Sequence, residues 1–590
     1  MDKTINQLIG ELMDELANRQ TKLRNLFKTH GIDGYLISTR DEYLSEYPPN
    51  NTKRLEYITG FTGSNGLAII LEETILFFTD GRYITQAKAQ LNASLFKIFD
   101  QKDLANFSWN DYISKSSIKE EFIIGLDPAI FTNNSLTAFK SLNLKAINGN
   151  LIDKIWDNRP PAPSSKIYNY DLIYAGESYE SKLSRCRSFL EANKAAALLI
   201  TNPETICWLF NIRASDIEFS PLLLASALIT KDEAYLFTEI NRDISEVVSE
   251  KPIITILPEE SLPKMIQEQK EKILFDENYC SKHLSDIIKK QSNQNIPNPC
   301  LLWKSCKNAV EITRMQEVHL QDAIAVCEFL AFLANNDLNS YSEYDLGIKL
   351  TELRSQRENY ISDSFPAIIG FQENGAIIHY RALQNDAKKI AGNGLLLIDS
   401  GGQYLGGTTD ITRVVNIGKP TSKHKLYYTK VLKGHINLAT IKFPKNTVTG
   451  GNLDVLARQF LWQDGDDYAH GTGHGVGSFL SVHEGPQNIS LNSCSCKFAA
   501  NMVVSNEPGF YLPGEFGIRI ENMMRVKEST NSDFLEFDQL TLVPYQKELI
   551  EFKLLNQHEL TYLKNYYNLI EDKVMSKLSA KAKEWLRNQL

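Results

Sequence analysis

The chain is short of the features that would make it bind polyanions, cross a bilayer or depend on cross-links. Lysine and arginine (63) are outnumbered by aspartate and glutamate (72), for a formal net charge of −9. General nucleic-acid binders and anionic-membrane binders want a basic surface, so neither nucleic acid nor a membrane is an expected partner. The eight cysteines stand singly apart from Cys494 and Cys496, without a CxxC pair or a regular framework, which points to a reducing compartment. Cys494 and Cys496 lack the second pair that a structural zinc site needs, and read as plain loop or strand residues. No apolar run reaches the length of a membrane span; LLLASALI, near residue 225, is among the longest and suits a buried strand. The opening MDKTINQLIGELMDELANRQ is acidic, with no basic region leading an apolar one, so it does not read as a secretory signal. The expected location is cytoplasmic.

What is present is a globular composition, 43% hydrophobic and 23% charged, on 590 residues. That length exceeds one ordinary core and implies two to four domains. Ile5, Leu8, Ile9, Leu12, Met13 and Leu16 recur on one helical face and predict an amphipathic first helix. GYLIST, YITGF and ILFFTD then follow in order, and ALLIT, WLFNI and AYLFTE repeat that order later. Residues 1–165 and 166–308 are therefore read as a diverged internal repeat of two α/β domains, with NRPPAPSS as the linker. From Glu311 the pattern turns helical, opening a chemical domain over residues 309–544. Residues 545–590 form a C-terminal extension ending in a charged helix, EDKVMSKLSAKAKEWLRNQL, which suits a solvated face or a docking helix.

The chemistry is concentrated between Ile377 and Glu521. Here stand IIHYRA, LLLIDSGGQYLGGTTDITRVV, YAHGTGHGVGSFLSVHEGP, VVSNEPGFY and FGIRIEN. Asp399, Asp410, Glu507 and Glu521 with His474 make a ligand set for two hard divalent cations sharing carboxylates. Asp410 lies eleven residues after Asp399, a spacing that on one continuous strand would oppose the two side chains. Gly401, Gly402, Gly406 and Gly407 in the interval predict a hairpin that returns both acids to one place. Taken singly, each aspartate is more often a turn residue. His470 and His474 have helical metal-site spacing, but Gly471 and Gly473 make a helix improbable. A phosphate loop is disfavoured because the Lys-Ser/Thr of a P-loop is missing. Glu507 ends an apolar strand at a Pro-Gly turn. In GIRIEN, alternation puts Arg519 and Glu521 on one face, where the arginine can orient a carboxylate. His379 closes the strand-like AIIHY. Of only ten histidines, four (His379, His470, His474, His483) accompany these acids, a clustering that favours function over scattered core or surface histidines.

These motifs resemble the creatinase or "pita-bread" metallopeptidases, and most closely their three-domain Xaa-Pro aminopeptidases. The resemblance spans nearly the whole chain, from SEY and ITGFTGSNGLAII through ICWLFNIRASDIEFSP to EWL near the end. It implies two creatinase-like α/β domains ahead of a pita-bread catalytic domain of mixed α and β structure. By motif match, Asp399 holds one metal, Asp410 and Glu521 bridge two, and His474 and Glu507 complete the second. The implied cofactors are two divalent ions, most similar to dimanganese centres. His379, His470 and His483 match substrate-contacting histidines, with His379, His483 and Glu507 in catalytic roles. Arg519 matches an orienting arginine, Tyr511 a tyrosine near the site, and Arg54 an N-terminal arginine that reaches toward substrate. The implied activity is release of the first residue from peptides with proline second, by a homodimer. Within the same fold a prolidase would share the ligands, and a metal-free peptide-binding pseudoenzyme would have lost some of them. A methionine aminopeptidase would not need some 300 residues ahead of its catalytic domain.

Overall fold

Two stretches of the chain build the same six-stranded mixed sheet. In the computed structural model, which describes residues 2–109, 112 and 122–590, the first sheet runs Phe96–Asp100, Ile75–Thr79, Leu67–Leu71, Gly34–Ser38, Ile123–Leu126, Asn143–Ala146. The second runs Ile254–Pro258, Ala234–Thr238, Ser226–Thr230, Ala197–Ile200, Ile273–Phe275, Asn293–Asn295. In each, a central antiparallel meander is flanked by parallel pairings on both sides. The strands expected from GYLIST and ALLIT occupy matching positions next to the centre. Gly34–Ser38, Leu67–Leu71 and Ile75–Thr79 are buried along their whole length, as near-continuous apolar runs covered on both faces should be. Both sheets belong to one compact unit, made of residues 1–168, 182–218 and 223–298.

The first helix, Asp2–His30, precedes this sheet. Of its expected apolar face, Ile5, Leu8, Ile9 and Leu12 lie outside the described side chains, and Met13 is 47% exposed. Among the described side chains of this helix, Gln20, Leu23 and Phe27 are buried.

The second unit holds residues 169–181, 219–222 and 299–590. Its long helix Ala309–Asn335 starts at a capping box in which Asn308 and Glu311 satisfy each other's main-chain donors. Two sheets carry the chemistry: a three-stranded one of Ile368–Phe371, Gly394–Ser400 and Ile411–Ile417, and a six-stranded one. The latter runs Lys442–Pro444, Phe534–Gln539, Asn522–Glu528, Val503–Asn506, Gly473–Gly475, Glu484–Ile489. Helices Ser422–Ala439 and Gly450–Trp462 cross so closely that a Cβ on Gly434 would lie 2.1 Å from the Ala457 carbonyl oxygen. The final helices, Gln557–Val574 and Ala580–Gln589, add Leu563, Tyr566, Ile570, Trp585 and Leu586 to the main core. The charged last helix therefore docks through its apolar stripe, and Ser579 at its start is held by Glu328 (2.6 and 2.8 Å). All eight cysteines are free thiols. No described helix is long and apolar enough to cross a membrane.

Candidate metal centre

The apolar run 395–398 pulls Gly394–Ser400 into the sheet interior and delivers Asp399 near its end. That strand pairs antiparallel with Ile411–Ile417, Asp399 opposite Thr412. Between them the glycine-rich interval folds into a small hairpin, with Gln403 opposite Thr408 and Tyr404 opposite Gly407. Gly401 makes the exit possible: a Cβ there would stand 1.9 Å from the Thr409 carbonyl oxygen. The chain re-enters at Asp410, two residues before Thr412, so the pleat returns it to the side of Asp399.

Glu521 arrives from a different direction. The hairpin of Gly509–Leu512 and Phe516–Arg519 ends at Arg519, and the chain joins the six-stranded sheet at Asn522. At this switch Glu521 N–H donates to Thr412 O (3.2 Å), and Thr412 Oγ1 donates to Glu521 Oε2 (2.8 Å). Gly473–Gly475 and Val503–Asn506 bring the remaining pair. His474 N–H donates to Ser505 Oγ (2.9 Å), which donates to Glu507 Oε1 (3.0 Å). The His474 imidazole then lies with Nε2 3.3 Å from Glu507 and 3.5 Å from Asp410. Gly473 allows this approach, since a Cβ would be 2.1 Å from Ser505 O.

Three overlapping donor groups result: Asp399, Asp410 and Glu521; His474, Glu507 and Glu521; and Asp410, His474 and His483. Within each, one ligand atom per residue lies within 4.8 Å of the others. Asp410, His474 and Glu521 each belong to two groups. The residues fit divalent cations, because Asp399 Oδ1, Asp410 Oδ1 and Glu521 Oε1 are buried without a hydrogen-bond partner. Orphaned carboxylate oxygens of this kind are costly unless a cation or proton meets them. The electrostatics agree. Burial, with Asp399 and Glu507 nearby, pushes the Asp410 carboxyl up to about 6 despite a hydrogen bond from His474. Burial and the surrounding carboxylates push Glu521 well above its ordinary range. Desolvation opposes charge on His474, but Asp410 and Glu507 outweigh it and raise its pKa to about 9. Four carboxylates converge on one place, and positive charge at their centre would relieve them.

A line of polar contacts leads away from the cluster. Arg519 Nη2 donates to Asp399 Oδ2 (2.5 Å), and its Nη1 donates to Tyr511 Oη (2.6 Å). Tyr511 Oη meets His470 Nε2 at 2.8 Å. Burial works against the Arg519 charge, but Tyr511, Asp399 and Glu507 hold its pKa well above the ordinary value. His483 packs edge-to-face on His474, ring centroids 4.4 Å apart. His379 follows a short 3-10 helix, Gln372–Ala376, and sits in a turn, which corrects the strand expected for AIIHY. The buried Glu343 carboxylate causes this, accepting from Phe371 N–H, Asn374 Nδ2 and Tyr380 Oη, so the chain curls instead of extending. The turn leaves Ile378 O facing Arg519 Nη2 at 3.4 Å. Arg54 lies in the other unit, where Asp153 holds its Nε and Nη2 (2.7 and 2.9 Å) and Glu42 its Nη2 (2.6 Å).

Thr412, Ser505 and Arg458 were not among the expected residues. Thr412 follows Asp410 by two and Ser505 precedes Glu507 by two, so strand alternation already placed them beside ligands. Arg458, which donates to His470 O (2.7 Å), carries no such local signal.

Fold and site together define a metal-dependent hydrolase with a buried carboxylate floor and a partly buried histidine rim. The profile of Metallopeptidase family M24 matches residues 313–528, and that of its C-terminal region residues 533–590. Two Creatinase/Prolidase N-terminal domain profiles match residues 19–153 and 158–311. The chain belongs to metallopeptidase family M24, in its form with two creatinase N-terminal domains. It is 34% identical to Xaa-Pro aminopeptidase 1 of Dictyostelium discoideum, over 100% of both chains. It is 36% identical to a probable Xaa-Pro aminopeptidase P of Laccaria bicolor, covering 97% of this chain and 93% of the other. The solved X-prolyl aminopeptidase of Caenorhabditis elegans, described as a cytosolic enzyme with a di-nuclear active site, superposes with a TM-score of 0.92 at 31% identity. That match covers 97% of this chain and 99% of the other. An Xaa-Pro dipeptidase of Bacillus anthracis, 23% identical with a TM-score of 0.50 over 62% of this chain and 99% of its own, shares the fold alone.

Proposed function

We propose that the chain is an Xaa-Pro aminopeptidase, a metallohydrolase that releases the first residue of peptides whose second residue is proline. The observation that carries this is the meeting of three unpartnered carboxylate oxygens, from Asp399, Asp410 and Glu521, beside His474 and Glu507. Full-length relatives named for that activity support it.

In this reading Asp399, Asp410, His474, Glu507 and Glu521 would hold two divalent cations, with Asp410 and Glu521 placed to serve both. Oxygen-rich ligation favours manganese in kind. When bound, such ions polarise a carbonyl and bring the pKa of water toward neutrality. The rest falls to the protein. Arg519 fixes Asp399 through one oxygen and leaves the other for the centre, and Thr412 does the same for Glu521. The scissile nitrogen is proline's, which carries no N–H, and like any amide nitrogen it must gain a proton to leave as an amine. Glu507, mostly buried at the rim, accepts the proton of the attacking water and delivers it there. His379 donates to the developing oxyanion, and His483 hydrogen-bonds the substrate main chain. His470, held by Tyr511, borders the same rim and contacts substrate. Arg54, already committed to Asp153 and Glu42, is assigned only a supporting part in binding. We further propose a homodimer in the cytoplasm.

The test is release of the free first residue from an Xaa-Pro-Yaa tripeptide before and after chelation, then with manganese, cobalt or zinc restored. Activity that vanishes on chelation and returns best with manganese supports the assignment. Activity that survives complete metal removal overturns it. Light scattering of the eluted protein checks the dimer.

A further inference from the structure

The two glutamates of the centre each have a buried asparagine as neighbour, Asn506 before Glu507 and Asn522 after Glu521. Asn506 and Asn522 face one another across adjacent strands. Both are held by groups outside those strands. Asn506 Nδ2 donates to His435 O (2.9 Å), and Asn506 O meets His435 Nδ1 at 3.0 Å. Asn522 Oδ1 accepts from Arg413 Nη2 (2.8 Å), and its amide nitrogen lies 3.2 Å from both Tyr545 Oη and Tyr566 Oη. Arg413 Nη1 donates to the Glu521 carbonyl oxygen itself (2.7 Å). Arg413 also donates to Thr412 O, Pro544 O, Val543 O and Tyr566 Oη (2.9, 3.0, 2.6 and 3.3 Å). Tyr545 Oη closes the circuit at 3.0 Å from His435 Nε2. The Tyr545 and Tyr566 hydroxyls thus span the neighbours of both glutamates. Both tyrosines lie in the C-terminal region, Tyr566 on helix Gln557–Val574.

Such a network is an expensive way to fill a core, since apolar residues of similar volume are often as stable. What directional bonds add is a single fixed geometry. Here the geometry fixed is that of the main chain carrying Glu507 and Glu521.

We propose that Tyr545 and Tyr566 are positioning residues for the metal centre, setting the strand ends of Glu507 and Glu521 through His435, Arg413 and Asn522. The C-terminal extension is then part of the ion-binding apparatus as well as of the core. This rests on the dinuclear reading above.

The test compares metal-free wild type, Tyr566→Phe, Tyr545→Phe and, as a packing control on the same helix, Ile570→Val. Manganese alone is titrated into each, by calorimetry and against a chromophoric chelator, alongside thermal melts of the metal-free proteins. Either tyrosine variant is expected to bind the weaker of two ions about tenfold less tightly, in the range seen when groups behind ligands are removed. Ile570→Val is expected to lower the melting temperature and leave manganese affinity unchanged. Because each tyrosine is tested separately, one variant that does not fold leaves the other to decide. Wild-type affinity in the folded tyrosine variants would overturn the proposal and leave the dinuclear reading standing. Fewer than two ions on wild type would overturn both.

Discussion

His435 should make the catalytic unit acid-sensitive well above the pH at which carboxylates alone would. It lies on helix Ser422–Ala439 with no exposed surface, between Asn506 O and Tyr545 Oη. Burial, reinforced by the nearby Arg413 charge, lowers its pKa from 6.5 to about 3. Between those values the unfolded chain binds a proton that the folded one refuses, so stability rises with pH across this window. The contribution is complete above the unfolded value of 6.5 and is lost progressively as pH falls toward 3. From the two pKa values, the loss between pH 8 and pH 5 is about 2 kcal/mol, reaching on the order of 5 kcal/mol once both states titrate. The assay is urea unfolding of metal-free protein at pH 8, 6.5 and 5, wild type against His435→Gln. The variant starts less stable because two hydrogen bonds are altered, but its pH dependence should be shallower by that amount. Other titrating groups are common to both proteins and cancel in the difference. Parallel pH profiles would mean that His435 is protonated in the fold, and the argument for a neutral buried imidazole would fail.

Other outcomes follow from the same geometry. Asp410→Asn should leave activity undetectable while stabilising the metal-free protein at pH 8, because it removes a carboxylate whose ionisation burial and Asp399 oppose, an effect reduced by the loss of the partner that Asp410 gives His474; denaturation with chelator present measures this, and an unchanged or lower stability counts against it. Arg519→Lys keeps the charge but cannot reach Asp399 and Tyr511 together, so metal affinity should fall about tenfold or more, read by titration of the apoprotein. Gly473→Ala places a methyl group 2.1 Å from Ser505 O, and the strand must shift; loss of metal binding with little change in the upstream domains is expected, checked by hydrogen exchange.

Much of the centre was legible because its residues obey local rules. The glycines after Asp399 announced a chain reversal, and a hairpin returns Asp410 to the same side. The matching order of GYLIST and ALLIT suggested a repeated α/β unit, and the two sheets that hold these runs share one strand order. His379 was misread as the end of a strand because the cause of its turn is remote: Glu343, 36 positions earlier, gathers the donors of that segment. The Arg413 network was invisible for the same reason. Its partners run from Thr412 to Tyr566, and no spacing rule links an arginine in one strand to a hydroxyl on a helix some 150 residues later. The first helix was legible from its apolar periodicity, and a helix spans Asp2–His30, although most of the periodic face lies outside the described side chains and Met13 stands half in solvent.

The central claim is tested most directly by metal-free protein given manganese and offered three substrates: an Xaa-Pro dipeptide, an Xaa-Pro-Yaa tripeptide and an Xaa-Ala-Yaa tripeptide. The expected result is manganese-dependent release of the first residue from the proline tripeptide, with little from the other two. Cleavage of the dipeptide alone would make the enzyme a prolidase, and no cleavage with any metal would contradict the account.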